Sequence, residues 1–188
     1  LSAFGHVDGG DAVVANALLE SVGKEGTVVV PTFGDYFQSE TKVWDPVNTP
    51  SRMGRISEHF RTMPNAIRSL HAIHPVSAVG AMAREVVGDD HETDFDLDSP
   101  FHRLITWGAR IILLGVGWNV CTMFHVAEER LEVPYRRWIE RSGQSVQKGI
   151  PQDRVYQFLA RYPGVRNDFI PLGSKLEALG QVTQVEIG

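Results

Sequence analysis

His125 and Glu128 stand three residues apart, a spacing that puts two side chains on one face of a helix. Imidazole is the side chain that exchanges a proton near pH 7. A neighbouring carboxylate holds its tautomer and stabilises its charged form, which raises its pKa. Thr122 precedes the pair and supplies a hydroxyl at a position that suits a helix N-cap. Cys121 lies beside it, where a helix N-terminus would lower a thiol's pKa. Each group also has an ordinary reading: a cap, a solvated surface pair and a small buried residue.

These groups must be positioned by residues 110–135. Ile111, Ile112, Leu113 and Leu114 form a charge-free apolar run closed by Gly115, the pattern of a strand buried on both faces. Gly115 and Gly117 permit a sharp bend. Phe124, Ala127 and Leu131 then follow at helical spacing. A strand, turn and helix of this kind open at a sheet edge, where open α/β sheets bind ligands.

The same alternation runs along the chain. Gly9, Gly10 and Asp11 precede a helical face of Val14, Ala17, Leu18 and Val22, with Asp11 as cap and Gly23 as stop. A glycine-bearing loop before a helix N-terminus can hold a phosphate, although a tight turn explains it equally. Thr27, Val28, Val29 and Val30 form a β-branched strand, and residues 32–50 a long loop. Ile56, Phe60 and Met63 mark a helix ended at Pro64. A strand over residues 76–80 and a short helix over 81–87 follow. Residues 89–98 are an acidic run without calcium-loop spacing. Ser99 caps a helix with Pro100 at its first position. Beyond Tyr135 the pattern loosens: a strand or extended arm over 136–152, a short helix around Val155, Phe158 and Leu159, and strands over 167–172 and 181–187. Strands alternating with helices predict a layered α/β domain.

The 188 residues suffice for one domain with a sizeable core. A hydrophobic content of 43% and charged content of 22% are ordinary for a globular protein. The net charge of −5 gives no electrostatic reason to expect nucleic acid or an anionic membrane as partner. No apolar stretch approaches the roughly 20 residues of a membrane-spanning helix. With Cys121 the sole cysteine, no internal disulfide can form, which favours a reducing compartment and a cytoplasmic location.

Three chemistries compete for these residues. His71 and His74 are three apart, but a metal needs three or four convergent ligands, so no metal is expected. Cys121 with His125 could run nucleophilic hydrolysis, yet no nucleophile elbow is present. Group transfer from a thioester to an amine needs a base and oxyanion donors. His125 could be that base, with Glu128 either orienting it or binding the acceptor's ammonium. Thr122 could serve the oxyanion or leaving thiolate, and residues 1–11 the carrier's phosphates. Of the three, transfer uses more of the chain than the other two.

The ordered motifs have a further implication. Residues 1–10, LSAFGHVDGG, resemble an L-S-S-L-G-x-V-x-G-G loop, and residues 26–32, GTVVVPT, a G-T-L-V-M-P-T strand. T-P-x-R-x-G begins at Thr49, E-x-F-R at Glu58 and R-S-x-H at Arg68. Ser99 and Pro100 open an S-P-hydrophobic step; L-L-G-V begins at Leu113, T-x-x-H-x-A-E at Thr122 and V-P-Y-R at Val133. In this order the motifs resemble the aminoglycoside 3-N-acetyltransferases, antibiotic N-acetyltransferases that use acetyl-CoA. Ala72 and Pro75 depart from that pattern.

The resemblance implies a three-layer α/β/α sandwich around a mixed β-sheet, formed by one domain over residues 1–188 that lacks N- and C-terminal portions of the full family domain. It implies direct acetyl transfer to an amine of an aminoglycoside at the 3-N position, with another amino sugar or a biosynthetic amine as alternative acceptors. A Cys121/His125 hydrolase and a non-catalytic CoA-binding module remain the readings from other classes. His125, Glu128 and Thr122 fall in the catalytic motif. Ser2, Ala3, Phe4, Gly5 and Val7 fall in the CoA-binding loop, while Thr32, Ser69 and Ser99 line the cofactor groove. A homodimer is compatible with this reading.

Overall fold

A computed structural model describes residues 5–34, 36–38 and 40–186. Helix α1 (Gly10–Val22) opens the described chain. Its N-cap is Gly9, at φ 80°, a left-handed conformation that glycine adopts without steric cost. Asp11 sits in the first turn rather than at the cap, where its carboxylate meets Arg55 at 2.8 Å. Gly23 ends the helix at φ 69° and donates to the carbonyls of Leu19 and Glu20.

Strand β1 (Thr27–Pro31) pairs antiparallel with β4 (Val76–Gly80), Val29 opposite Ala78. The two-residue β3 (Ile67–Arg68) pairs antiparallel on the other side of β4. The period of two then divides the core. Val28, Val30 and Val79 pack with Ala15 and Phe60 from α1 and α2 (Arg55–Thr62). Val29, Val76 and Ala78 pack with Val86, Phe101 and Val126 from α3 (Ala83–Val87), α4 (Pro100–Thr106) and α5 (Phe124–Arg130). Helices therefore cover both faces of this sheet, the layered α/β arrangement that the alternation of elements predicts.

A second sheet has the order β2-β5-β6. Strand β2 (Val43–Trp44) arises inside the segment expected to be all loop and runs parallel to β5 (Arg136–Gln147). Strands β5 and β6 (Ile150–Arg161) form a hairpin paired along its whole length. Tyr156 and Phe158 project from one face of β6 onto Trp44, Tyr36 and Ile73. Trp44 is fully buried, its indole donating to the carbonyl of Leu70 at 2.9 Å and covered by Arg68, whose guanidinium lies 4.2 Å from the ring centroid.

Several expectations need correction. Residues 111–114 form no strand: Ile111 and Ile112 are 56% and 65% exposed, and no described strand pairs with them. The apolar run carries a tendency to be buried that no strand among the described residues meets. Val155, Phe158 and Leu159 belong to strand β6, not to a helix, because their inward neighbours alternate with a period of two. Residues 167–172 lead into helix α6 (Ile170–Ala178), with Pro171 in its first turn, where proline is well tolerated. Residues 181–186 have no regular structure. Thr122 does not cap α5; its N-cap is Met123, and no side-chain bond is made there. Ala72 is fully buried, and the Pro75 carbonyl accepts the N–H of Thr32 at 2.8 Å. No described helix is long and apolar enough to cross a membrane.

Candidate active site

Helix α5 brings His125 and Glu128 onto one face, as their spacing requires. Past the helix, Glu132 takes a left-handed φ of 46°. That turn folds the chain back, so Tyr135 and Arg136 reach the carboxylate they follow. Glu128, only 5% exposed, is bound from three sides. His125 Nδ1 meets Oε2. The Arg136 guanidinium lies 2.8 Å from the same oxygen, and the Tyr135 hydroxyl donates to Oε1 at 2.9 Å. Arg136 also donates to the Leu159 carbonyl at 3.0 Å and to Asn167 Oδ1 at 3.3 Å, tying α5 to the hairpin.

This arrangement selects a tautomer. An ionised carboxylate can only accept, so Nδ1 carries the hydrogen that His125 gives Glu128. The Arg136 guanidinium, also a donor, lies 2.8 Å from Glu128 Oε2 and 3.1 Å from His125 Nδ1, and the carboxylate is the stronger acceptor of the two. Nε2 is left with its lone pair, the state a general base needs.

Burial pushes the His125 pKa below the usual histidine value; the Glu128 contact opposes this, but burial prevails. The increase expected from the carboxylate is therefore a smaller effect than desolvation. Burial alone would raise Glu128, yet His125, Tyr135 and Arg136 together hold its carboxyl below the usual range. The rings of Phe95 and Phe169 lie 5.7 and 5.4 Å from the His125 ring. Phe169 is fixed in turn by its N–H, which donates to Asn119 Oδ1 at 2.6 Å.

A cavity of about 450 Å³ opens on this group, lined by His125, Glu128, Arg136, His74, Asp94 and Phe95 among others. Asp94 is the member of the acidic run that reaches it. Two other members of that run are engaged elsewhere: Asp96 accepts the backbone N–H groups of Glu92, Thr93 and Asp98, and Asp90 accepts the Tyr156 hydroxyl. Cys121 is buried and does not line the cavity. Burial pushes its thiol up, contrary to the activation expected from a helix N-terminus, because desolvation outweighs the nearby N–H donors. Among the described residues, no three His, Cys, Asp or Glu side chains converge as metal ligands.

The residues expected to bind the cofactor separate. Gly5 and Val7 line a second cavity at the N-terminus of α1, together with Gly9, Gly10 and Arg55. Ser2, Ala3 and Phe4 lie outside the described residues. Thr32, Ser69 and Ser99 are buried, and their hydroxyls already have internal partners. Thr32 donates to the Pro75 carbonyl and accepts from Arg68; Ser69 accepts the Val76 N–H; Ser99 caps α4 by accepting the His102 N–H. Thr122 is half-buried and does not line the His125 cavity. Arg136 and Tyr135 were missed as site residues, although the V-P-Y-R motif carried both.

Comparison with known proteins agrees with the motif order. Aminoglycoside N(3)-acetyltransferase VII of Streptomyces paromomycinus is 29% identical, the match taking in 96% of this chain and 73% of that protein. Aminoglycoside N(3)-acetyltransferase VIII of Streptomyces fradiae is 32% identical over 74% of this chain, which spans only 55% of it. The crystal structure of aminoglycoside acetyltransferase AAC(3)-Xa superposes with a TM-score of 0.84 at 25% identity, covering 96% of this chain and 73% of that one. The family model of the aminoglycoside 3-N-acetyltransferases matches residues 1–188, and the chain belongs to that family.

Proposed function

We propose that the chain carries out acetyl-CoA-dependent N-acetylation of an aminoglycoside amine at the 3-N position, by direct transfer with His125 as general base. The observation that carries this reading is the imidazole of His125 held by Glu128 on the wall of a cavity. Two solved structures of the same fold add to it: one is a binary complex with CoASH and another is bound to sisomicin.

Acetyl-CoA would bring an acetyl group activated as a thioester. The acceptor nitrogen bonds to the acetyl carbon and gives its proton to His125 Nε2. The carbon–sulfur bond breaks, and the departing sulfur takes up the proton that His125 then releases. Glu128 stabilises the imidazolium while it lasts. Its oxygens are already shared among His125, Tyr135 and Arg136, which favours an orienting role over binding the acceptor's ammonium. Thr122 remains a proposed contributor to the oxyanion or thiolate. Ser2, Ala3, Phe4, Thr32, Ser69 and Ser99 remain proposed contacts of the cofactor.

The cavity at the start of α1 is the proposed place for the phosphates of CoA. A helix N-terminus favours anions, and at Gly10 a side chain would occupy otherwise open space at φ 62°. Gly5, Val7, Gly9 and Gly10 would supply backbone, and Arg55 a charge that its 2.8 Å pairing with Asp11 partly offsets.

The test follows free thiol released from acetyl-CoA with sisomicin as acceptor. The wild type should release thiol, and His125→Ala should lower kcat by roughly 10²–10⁴-fold, the usual worth of a general base, with CoA affinity retained. Absence of both thiol release and calorimetric CoA binding in the wild type refutes the reading. Thiol release with a different amine, and none with any aminoglycoside, keeps the chemistry and rejects the acceptor.

A further inference from the structure

His71 and His74 are too few for a metal site, yet the fold turns both toward one carboxylate. Asp94 Oδ1 lies 2.9 Å from His74 Nδ1 and 3.2 Å from His71 Nδ1. The two imidazoles differ in where they lie. His71 is completely buried, its ring stacked on His91 at 4.6 Å and packed on Tyr156 at 4.1 Å. His74 keeps 21% of its side chain exposed and lines the cavity that also holds His125.

Asp94 itself is 1% exposed. Burial opposes its ionisation, but the two histidines outweigh burial and hold the carboxyl well below the usual range. The carboxylate is thus a fixed anion beside His74 Nδ1. Nε2 is the ring nitrogen left for the cavity. Phe95 packs on both imidazoles of the cavity, 5.3 Å from the His74 ring and 5.7 Å from that of His125. The cavity thus offers two imidazoles, each beside a carboxylate and each packed on the same aromatic ring. Only one is needed to take a proton from the reacting amine.

We infer that His74, held by Asp94, is a second acceptor-binding position, whose Nε2 receives an N–H or O–H of a group neighbouring the reacting amine. The inference rests on the reading of this cavity as the amine site. It gives the acceptor a chemical class: an amine with a second ammonium or hydroxyl on the same small ring system, rather than a simple monoamine. Asp94 acts through His74 and is a positioning residue.

The experiment measures sisomicin binding calorimetrically in the presence of CoA, so that no turnover is required. His74→Leu should weaken sisomicin about tenfold, as loss of one hydrogen bond to a charged group does, and leave CoA affinity unchanged. His74→Gln, which keeps an acceptor oxygen, should recover part of that loss. In the wild type, the ¹⁵N resonance of His74 Nε2 should move as sisomicin is added, a signature that a purely structural histidine does not give. Equal affinity in His74→Leu and wild type overturns the inference while leaving the proposed function intact. If His74→Leu does not fold, an unmoved His74 resonance overturns it instead. A wild type that does not bind sisomicin overturns both this inference and the aminoglycoside reading.

Discussion

Replacing Glu129 by glutamine should stabilise the protein above neutral pH and change it little under mildly acidic conditions. Glu129 follows the orienting carboxylate on α5 and points into the acidic loop, where Thr93 donates its hydroxyl to Oε1. Oε2 is buried without a hydrogen-bond partner. Burial, with the charges of Asp94 and Asp96, pushes its pKa from 4.5 up to about 7. The folded state therefore holds a proton that the unfolded chain has lost, and stability falls as pH rises between those values. At about 1.36 kcal/mol per pH unit the cost is capped at about 3.4 kcal/mol. The carboxyl is partly open to solvent, and screening reduces the cost to about 1–2 kcal/mol. Glutamine keeps an oxygen for Thr93 and offers an N–H₂ where Oε2 has no partner. For a chain of this size, that gain shifts Tm by about 2–8 °C. Thermal unfolding followed by circular dichroism at pH 5 and pH 8.5 is the assay. The variant should melt higher at pH 8.5 and nearly with the wild type at pH 5. A Tm difference that is the same at both pH values would refute the reasoning.

Two further outcomes follow from the site. The wild-type acid limb of kcat/KM should lie below the usual histidine value, because burial holds His125 low and the base is lost as pH falls through its pKa. Glu128→Gln removes the opposing effect, so that limb should move to still lower pH, with a smaller loss of kcat than in His125→Ala; a limb displaced to higher pH would contradict the assigned electrostatics. Cys121→Ser should leave acetyl transfer within about twofold, since the thiol is buried and away from the cavity; loss of activity in a folded variant would reopen the cysteine chemistry.

Elements marked by local chemistry were legible in the sequence. Gly23 stops α1 and Ser99 with Pro100 starts α4 because caps act within a few residues. The valines of β1 announce a strand because branching at Cβ favours extended backbone. Residues 111–114 were not legible, because an apolar run shows a tendency to be buried and not whether a partner lies alongside. Tyr156 and Phe158 alternate toward Trp44, a tertiary fact that a helical spacing of Val155, Phe158 and Leu159 concealed. At the site, the His125–Glu128 pair needed only one helical turn. Arg136 needed the left-handed turn at Glu132, and Asp94 needed the fold to separate it from five similar acids. The direction of the His125 shift depended on burial, which spacing does not reveal.

The hairpin connection has a consequence for how the molecule assembles. Lys148 and Gly149, at φ 51° and 78°, form a turn whose twist matches the paired strands. From there the ladder can zip outward, from Gln147↔Ile150 to Arg136↔Arg161, on a microsecond scale and without closing a long loop. Strands β1 and β4 must instead bring Pro31 to Val76 before their first rung can form. Arg136 lies at the end of the ladder farthest from the turn, so its hydrogen bond to the Leu159 carbonyl forms only after the zipper has closed. Pulsed hydrogen exchange during refolding should accordingly protect amides beside Lys148 before those of β1, with the pocket among the last parts to form.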